Sequence, residues 1–307
     1  MGTPDFAEKS LEAIYNSKHE IIAIVTNPDR PKGRGMKMVA SPVKEFALSK
    51  NLPIYQPEKI RKNEEFINTI KALKPDVICV VAYGKILPKE ILEIPKLGCI
   101  NVHGSLLPQY RGAAPIQWAI INGDKITGVT TMYMDVGMDK GDMIFKKETE
   151  IGVDETTGEL WDRLAEIGAK LLVKTLKQIE AGTAPRIKQG EEFTIAPMLE
   201  KEMSKINWKD KSAKEIKNLV RGLNPIMGTY SFLDGKKIKI WKVEILPEEN
   251  NNAQNGTVIK ADAKEGLYIK AKEGIISVLE IQGENAKRMN IKDFLRGNQI
   301  KVGSVFE

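Results

Sequence analysis

The sequence predicts an α/β protein, with a doubly wound, mostly parallel sheet followed by a small β-barrel. Short, continuous apolar segments alternate with helical patterns over the first 180 or so residues, as in buried parallel strands with crossover helices. The clearest apolar segments are EIIAIVT at 20–26, DVICVV at 76–81 and the run at 98–102. After Trp208 the segments become short and are separated by turns, which is typical of a barrel.

The elements follow the chain in order. A helix over 6–16 begins at Thr3-Pro4, a cap followed by a first-turn proline. Such a domain usually opens with a strand, so we expect a strand to be missing before Met1. Further helices are predicted at 42–50, 63–73, 114–121, 156–181 and 213–223, and further strands at 52–55, 129–134, 143–149, 230–232, 237–245, 256–259, 266–271 and 274–281.

The pattern of apolar segments changes along the chain and so indicates two domains. The first covers 1–188 and the second 206–307, while the polar, non-periodic segment 189–205 between them is predicted as a linker. The longest apolar run, 77–83, is too short to span a bilayer, and the first residues lack the pattern of a secretory signal. Cys79 and Cys99 both lie in apolar strands, so we expect reduced core residues of a cytoplasmic protein.

The net charge of +6 is unevenly distributed. Residues 206–307 hold 18 Lys and Arg against 13 Asp and Glu, and the loop from 30 to 44 holds five basic residues and no acidic one. This pattern favours a polyanionic partner. A generally lysine-rich composition would give the same counts, and the charge alone leaves that alternative open.

The segment CINVHGSLLPQYRG at 99–112 carries the clearest chemistry. Asn101 and His103 are two residues apart at a strand end, so both side chains point to one side of the sheet. A carboxamide donates hydrogen bonds and an imidazole moves a proton near neutral pH, a combination suited to an oxygen that gains negative charge. The loop MDVGMDKGD supplies candidate carboxylates that would stabilise a charged histidine: Asp135, Asp139 and Asp142. A capping asparagine beside an ordinary hydrogen-bonded histidine is the plainer interpretation.

Together, CINVHGSLLPQYRGAAPIQWAI and the MDVGMDKGD loop resemble the formyltetrahydrofolate-dependent formyltransferases, in particular the branch that acts on methionyl-tRNA. Four further stretches share the resemblance: GTPDFA, TNPDRPKGRGMKMVASPVK, VVAYGKILP and LGCINVHGS. With INWKDKSAKEIKNLVRGLNP in the second domain, the resemblance covers nearly the whole chain. It implies a Rossmann-like formyltransferase catalytic domain at 1–188 and an OB-like, tRNA-binding domain at 206–307.

The resemblance also implies roles for individual residues. Asn101, His103 and Asp139 match the catalytic trio. The segment that borders the folate matches Ser105, Leu106, Leu107 and Pro108. A second wall of that pocket, acting largely through backbone groups, matches Tyr83, Gly84, Lys85, Ile86 and Leu87. The basic loop matches an arm that contacts tRNA through Arg30, Lys32, Arg34 and Lys37, with Arg34 between two glycines.

The implied reaction is formyl transfer from 10-formyltetrahydrofolate to the α-amine of methionine on initiator methionyl-tRNA, for translation initiation. We expect no metal, no membrane association and a monomer. A formyltransferase that acts on a sugar nucleotide or a purine precursor would share the trio but need no basic arm. A non-enzymatic RNA-binding protein on a decayed transferase scaffold would not need the trio at all.

Overall fold

The computed structural model describes residues 1–32, 36–247 and 252–307. Contacts between Cα atoms divide the chain into two units. The N-terminal unit consists of Met1–Pro115, Ile126–Glu150 and Trp161–Pro197, and the C-terminal unit of Ile116–Lys125, Ile151–Leu160 and Met198–Glu307. This division splits the segment 189–205, and the domain bounds set out above stay a prediction.

The chain up to Pro197 forms six helices and ten strands among the described residues, and most of them fall within two residues of their predicted bounds. The helices are α1 (Asp5–Tyr15), α2 (Pro42–Ser49), α3 (Glu64–Leu73), α4 (Lys89–Leu92), α5 (Pro115–Ile121) and α6 (Thr157–Glu180). The strands are β1 (Ile24–Val25), β2 (Arg30–Lys32), β3 (Lys37–Val39), β4 (Ile54–Tyr55), β5 (Ile78–Val81), β6 (Cys99–His103), β7 (Arg111–Gly112), β8 (Ile126–Tyr133), β9 (Met143–Glu150) and β10 (Ile195–Ala196).

The four-stranded sheet that carries the site has the order β5-β6-β8-β9. The strands β5 and β6 are parallel, whereas β8 is antiparallel to both β6 and β9. The α/β class is therefore confirmed: β5 and β6, Gly2 and Val81, and β1 and β4 pair in parallel, and β8 and β9 add an antiparallel edge. The nine residues between β8 and β9 suffice for an antiparallel return, whereas a parallel crossover needs a dozen or more.

The first two residues extend this sheet towards β1, which pairs in parallel with β4. The Met1 amino group donates to the Cys79 carbonyl at 2.6 Å, and Gly2 N donates to the Val25 carbonyl at 3.0 Å. A cavity of about 650 Å³ lies beside them, between 19–25 and 74–79. The predicted strand 20–26 is paired as a strand only at Ile24–Val25, because its other edge meets Gly2 and then the cavity.

The two cysteines of the N-terminal unit, half-buried Cys79 and buried Cys99, are free thiols. Desolvation raises the pKa of Cys79 to about 11 and that of Cys99 to about 12, so both stay protonated and unreactive at neutral pH. No helix of the described residues combines the length and the apolar character needed to cross a membrane.

The remainder of the chain forms the helices α7 (Ala213–Gly222) and α8 (Ile291–Gly297), with a short 3₁₀ helix at Lys201–Ser204. Its strands are β11 (Thr229–Leu233), β12 (Lys236–Leu246), β13 (Val258–Asp262), β14 (Gly266–Lys270), β15 (Ile275–Gln282) and β16 (Met289–Asn290). Sequence reasoning missed α8 and β16, which are short.

These strands form an antiparallel sheet in the order β11-β12-β15-β14-β13, with β16 added to β15. The chain end joins the two outer strands, since Phe306 bridges to Leu233 of β11 and Val305 bridges to Thr257 beside β13. Closing a sheet in this way covers the unpaired edges of its outer strands. The predicted small β-barrel is thus confirmed, and its interior holds fully buried residues such as Ile240, Ile269 and Ile281.

Candidate active site

Asn101 and His103 project from β6, a strand held by hydrogen bonds to β5 on one side and β8 on the other. Their spacing of two places both side chains on one face of the sheet. Asn101 is half-buried, and only 6% of the His103 side chain is exposed. A central strand with apolar neighbours therefore holds both groups in a fixed position.

Asp139 reaches these two side chains from the loop between β8 and β9. Its Oδ2 lies 3.7 Å from His103 Nδ1, and its Oδ1 lies 3.4 Å from Asn101 Nδ2. The Asp139 side chain is 15% exposed. The structure thus brings together three residues that span 38 positions of the sequence. Asp135 and Asp142 of the same loop make other contacts: Asp135 accepts from Val136 N, and Asp142 lies 3.6 Å from Arg186 Nη1.

The two ring nitrogens of His103 have different partners. Nε2 lies 2.8 Å from the Tyr110 carbonyl, which can only accept a hydrogen bond. Nε2 therefore donates to Tyr110, and Nδ1 is the ring nitrogen that is left for another partner. Nδ1 is also the nitrogen that faces Asp139.

The Asp139 carboxylate is held by a backbone donor as well. Gly112 N donates to Asp139 Oδ2 at 2.9 Å. Gly112 belongs to β7, which pairs in parallel with β10, and its φ of +126° is a conformation that side chains rarely allow. A Cβ at this position would lie 2.5 Å from the Ala196 carbonyl oxygen, so the site requires glycine here.

A hydrogen-bonded side-chain pair, half-buried Gln189 and buried Arg111, lies next to the Asp139 loop. The Gln189 Nε2 group donates to the carbonyls of Asp139 and Gly141 at 2.7 and 2.8 Å. The Gln189 Oε1 atom accepts from Arg111 Nε and Nη2 at 2.9 and 2.7 Å. Sequence reasoning missed both residues: Arg111 lies inside the quoted motif without an assigned role, and Gln189 lies in the segment predicted as a linker.

Three residues other than glycine adopt positive φ in the loops around the trio: Ala82 at 43°, Tyr110 at 60° and Asp139 at 50°. Each such residue costs on the order of 1–3 kcal/mol, and residues of this kind concentrate at functional sites. At Tyr110 and Asp139 the conformation directs a carbonyl and a carboxylate, respectively, towards His103.

The predicted folate segment 105–108 directly follows His103. Ser105 is fully buried and its hydroxyl donates to the Gln109 carbonyl at 2.6 Å, while Leu107 N donates to Thr130 Oγ1 at 3.1 Å. These two residues fix the turn. Leu106 and Pro108 are half-buried, so they are the members of the segment that a ligand can reach.

The second predicted wall, 83–87, leaves β5 next to the point where His103 leaves β6, because Val81 pairs with Val102. Tyr83 and Leu87 point into the core and are nearly fully buried. Gly84 has open space beside it at φ +75°, and Ile86 is 61% exposed. Lys85 is tied back by hydrogen bonds from Nζ to the carbonyls of Pro57 and Glu58.

The basic loop forms a hairpin of β2 and β3, in which Arg30 pairs with Val39 and Lys32 with Lys37. Sequence reasoning expected a loop without strands here. Arg30 and Lys37 are exposed, as are Met36 and Met38. Arg34, the predicted central contact, lies outside the described residues, as does the side chain of Lys32.

Two family models match the chain. One, described as formyl transferase, matches residues 1–176, and the other, described as formyl transferase, C-terminal domain, matches residues 198–299. The chain belongs to the formyl transferase family. Two similar relatives, from Acetivibrio thermocellus and Clostridioides difficile, are methionyl-tRNA formyltransferases that are 50% and 51% identical to it over 306 residues. These alignments cover 99% of this chain and 97% and 98% of the respective relatives.

Solved structures share the formyl transferase fold at lower identity. An N-formyltransferase from Helicobacter canadensis, in complex with folinic acid and dTDP-3-aminofucose, has a TM-score of 0.66 at 20% identity, covering 90% of this chain and 97% of that one. HypX from Aquifex aeolicus, in complex with tetrahydrofolic acid, has a TM-score of 0.59 at 18% identity, covering 84% of this chain and 47% of that one. These similarities confirm the fold class.

Proposed function

We propose that this formyl transferase moves the formyl group of 10-formyltetrahydrofolate to the α-amine of methionine on initiator methionyl-tRNA, giving formylmethionyl-tRNA for translation initiation. Relatives of this activity match at about 50% identity over nearly the whole chain. One geometric observation carries the chemistry: two side chains able to donate hydrogen bonds and one carboxylate converge at the end of β6.

Asn101 and His103 act on the oxygen that gains negative charge during acyl transfer. The distance from Asn101 Nδ2 to Asp139 is at the long end for a hydrogen bond, and that from His103 Nδ1 exceeds it. Asp139 therefore attracts both groups without using up their N–H donors. Both donors remain able to turn to a substrate oxygen, which is the arrangement that an oxyanion site requires.

Asp139 has two parts in this account. Its Oδ2 atom faces His103 Nδ1, the ring nitrogen that is not committed to Tyr110, and so orients the ring. Among the described residues, its Oδ1 atom has only the weak contact with Asn101, so it can accept a proton from the attacking amine, directly or through water. Gly112 N fixes Oδ2 and so leaves Oδ1 as the accepting atom.

The two predicted walls fit a flat, partly apolar folate ring. Leu106, Pro108 and Ile86 offer accessible apolar surface, and Gly84 leaves the backbone open to close approach. When bound there, 10-formyltetrahydrofolate supplies the formyl carbon. The chain's own residues orient it, exclude water and stabilise the developing charge.

The hairpin of β2 and β3 is the proposed tRNA arm. It follows β1, whose end is tied to the second wall by a hydrogen bond from Asn27 Nδ2 to the Tyr83 carbonyl at 3.0 Å. Arg30 and Lys37 are exposed cations that can contact phosphates, and Arg34 and Lys32 belong to the same arm. The basic C-terminal barrel adds a broader electrostatic surface for the tRNA body.

All members of the proposed trio come from one chain, so we infer that a monomer suffices. We also infer that the reaction takes place in the cytoplasm, away from membranes and without a metal. Light scattering at micromolar concentration checks the monomer: one chain mass supports it, and twice that mass contradicts it.

Formyl transfer to charged tRNA tests the function directly. Purified protein and 10-formyltetrahydrofolate are incubated with methionyl initiator tRNA, methionyl elongator tRNA, uncharged initiator tRNA or a dTDP-amino sugar. We expect rapid formylation of methionyl initiator tRNA alone. Formylation of the amino sugar in preference to tRNA would contradict the proposal, and tRNA binding without any transfer would favour the non-enzymatic alternative.

A further inference from the structure

Gln189 uses its whole amide to connect two parts of the candidate site. Its nitrogen donates to the carbonyls of Asp139 and Gly141, and its oxygen accepts two bonds from Arg111. Two donors and two lone pairs are all that a carboxamide offers, and each has a partner within 2.9 Å. Such complete use of one polar side chain fixes its orientation and that of its partners.

The Asp139 loop needs such a support. Asp139 has φ of +50°, which costs free energy unless neighbouring groups hold it. The adjoining residues Val136 and Met138 are 67% and 62% exposed, so apolar packing of these two side chains does little to hold the loop. The bonds from Gln189 to the carbonyls on both sides of Lys140 are polar contacts of the loop backbone that oppose unwinding of this turn.

The same short segment also supports His103. Thr194 Oγ1 accepts from Tyr110 N at 2.8 Å, and the carbonyl of Tyr110 is the partner of His103 Nε2. Pairing of β10 with β7 places Gly112 N against Asp139. The segment 189–196 therefore contacts Tyr110 and Gly112, which in turn bind the His103 ring and the Asp139 carboxylate.

We propose that Gln189 is a positioning residue for formyl transfer: it sets the distance between the Asp139 carboxylate and the His103 ring by holding the carbonyls of Asp139 and Gly141. This inference deepens the proposed function and rests on it. The alternative is a purely structural role, in which Gln189 only accepts the hydrogen bonds of the buried Arg111. The guanidinium of Arg111 also lies 4.4 Å from the centre of the Phe193 ring.

Two substitutions separate these roles. Gln189→Met keeps the side-chain length and removes all four hydrogen bonds. Gln189→Glu keeps an acceptor for Arg111, and strengthens that contact by its charge, but loses both donors to the Asp139 loop. Gln178→Met is the matched control, because Gln178 lies in the same unit and accepts a hydrogen bond from Thr183 Oγ1 away from the site.

We expect both Gln189 variants to lower kcat by roughly tenfold to a hundredfold, the usual effect of misplacing a reacting group by about 1 Å, with KM for the folate within about twofold of the parent. Gln178→Met should keep the parent kcat. A Gln189→Glu variant with the parent kcat would overturn the proposal, since Arg111 alone would then account for the residue.

A second measurement does not depend on turnover. The chain has two histidines, so ring signals in NMR spectra report His103 and His19 separately. We expect Gln189→Met to move the His103 signals and leave those of His19 in place, and unmoved His103 signals would overturn the proposal. If the parent protein transfers no formyl group, the proposed function fails, while these signals still decide whether Gln189 positions the site.

Discussion

Replacement of Asn101 by alanine separates catalysis from stability at the candidate site. The amide nitrogen lies 3.4 Å from Asp139 Oδ1, so the hydrogen bond lost in the folded protein is weak. We expect the free energy of unfolding to fall by less than about 1 kcal/mol. Loss of one donor to a developing oxyanion, in contrast, costs roughly 10²–10³ in rate, or about 3–4 kcal/mol in the transition state.

The assay is single-turnover formyl transfer with saturating enzyme and methionyl initiator tRNA, in which acid gels separate the formylated from the free aminoacyl-tRNA. The rate constant should fall by at least a hundredfold, while folate binding and the melting temperature stay close to those of the parent. Asn101→Asp, which keeps the shape but places a second carboxylate beside Asp139, should be at least as slow. A rate for Asn101→Ala within threefold of the parent would refute the role of this amide.

Three further sets of substitutions test the carboxylate, the glycine that contacts it and the proposed tRNA arm. Asp139→Asn keeps an acceptor for Gly112 N but loses the negative charge. We therefore expect kcat to fall about a hundredfold or more, with the affinity for folate unchanged. A variant with the parent kcat would exclude Asp139 as the proton acceptor. Gly112→Ala should lower the melting temperature by several degrees and reduce activity, because φ is +126° and the Ala196 carbonyl oxygen of β10 would lie 2.5 Å from the new Cβ. The control for backbone strain without a clash is Gly182→Ala, where φ is +69° and no neighbouring atom lies within 4 Å of the new Cβ. The double variant Arg30→Ala, Lys37→Ala should weaken tRNA binding and reduce the slope of the logarithm of the binding constant against the logarithm of the salt concentration by about two. Filter binding at several salt concentrations measures this slope. An unchanged slope would exclude phosphate contacts by these side chains.

The elements that the sequence predicts well are those with long or strongly periodic patterns. The sequence predicts a helix at 156–181, because its apolar residues recur at helical spacing over more than six turns, and α6 runs from Thr157 to Glu180. The sequence predicts a strand at 98–102, and β6 is displaced by one residue, to Cys99–His103. These two elements have enough local signal to set their own bounds.

Sequence reasoning missed short elements, and two of these depend on distant partners. β7 and β10 are two residues each and exist only because residues 111–112 pair with 195–196. The hairpin of β2 and β3 is likewise short, and its composition of Gly, Pro and basic residues indicates a loop. Neither pair has an apolar alternation that a window of sequence could detect.

The candidate site was predicted in part for a similar reason. Asn101 and His103 could be predicted as a pair because side chains two residues apart on a strand point to the same face of the sheet. Asp139 could be chosen among three aspartates of one loop only through family resemblance, and its contact with His103 follows from a positive φ that sequence does not reveal. The bonds of Gln189 join segments separated by 50 and 78 residues, and no local pattern announces them.

A double-mutant cycle on His103 and Asp139 tests the central claim, that the imidazole and the carboxylate act as one unit in formyl transfer. Single-turnover rates are measured for the parent, His103→Ala, Asp139→Ala and the double variant, with folate binding as a check that each protein is folded. We expect the double variant to be about as slow as the slower single variant, since either change alone disables the pair. Losses that multiply across the two positions would show that the two residues act independently, which would contradict this claim.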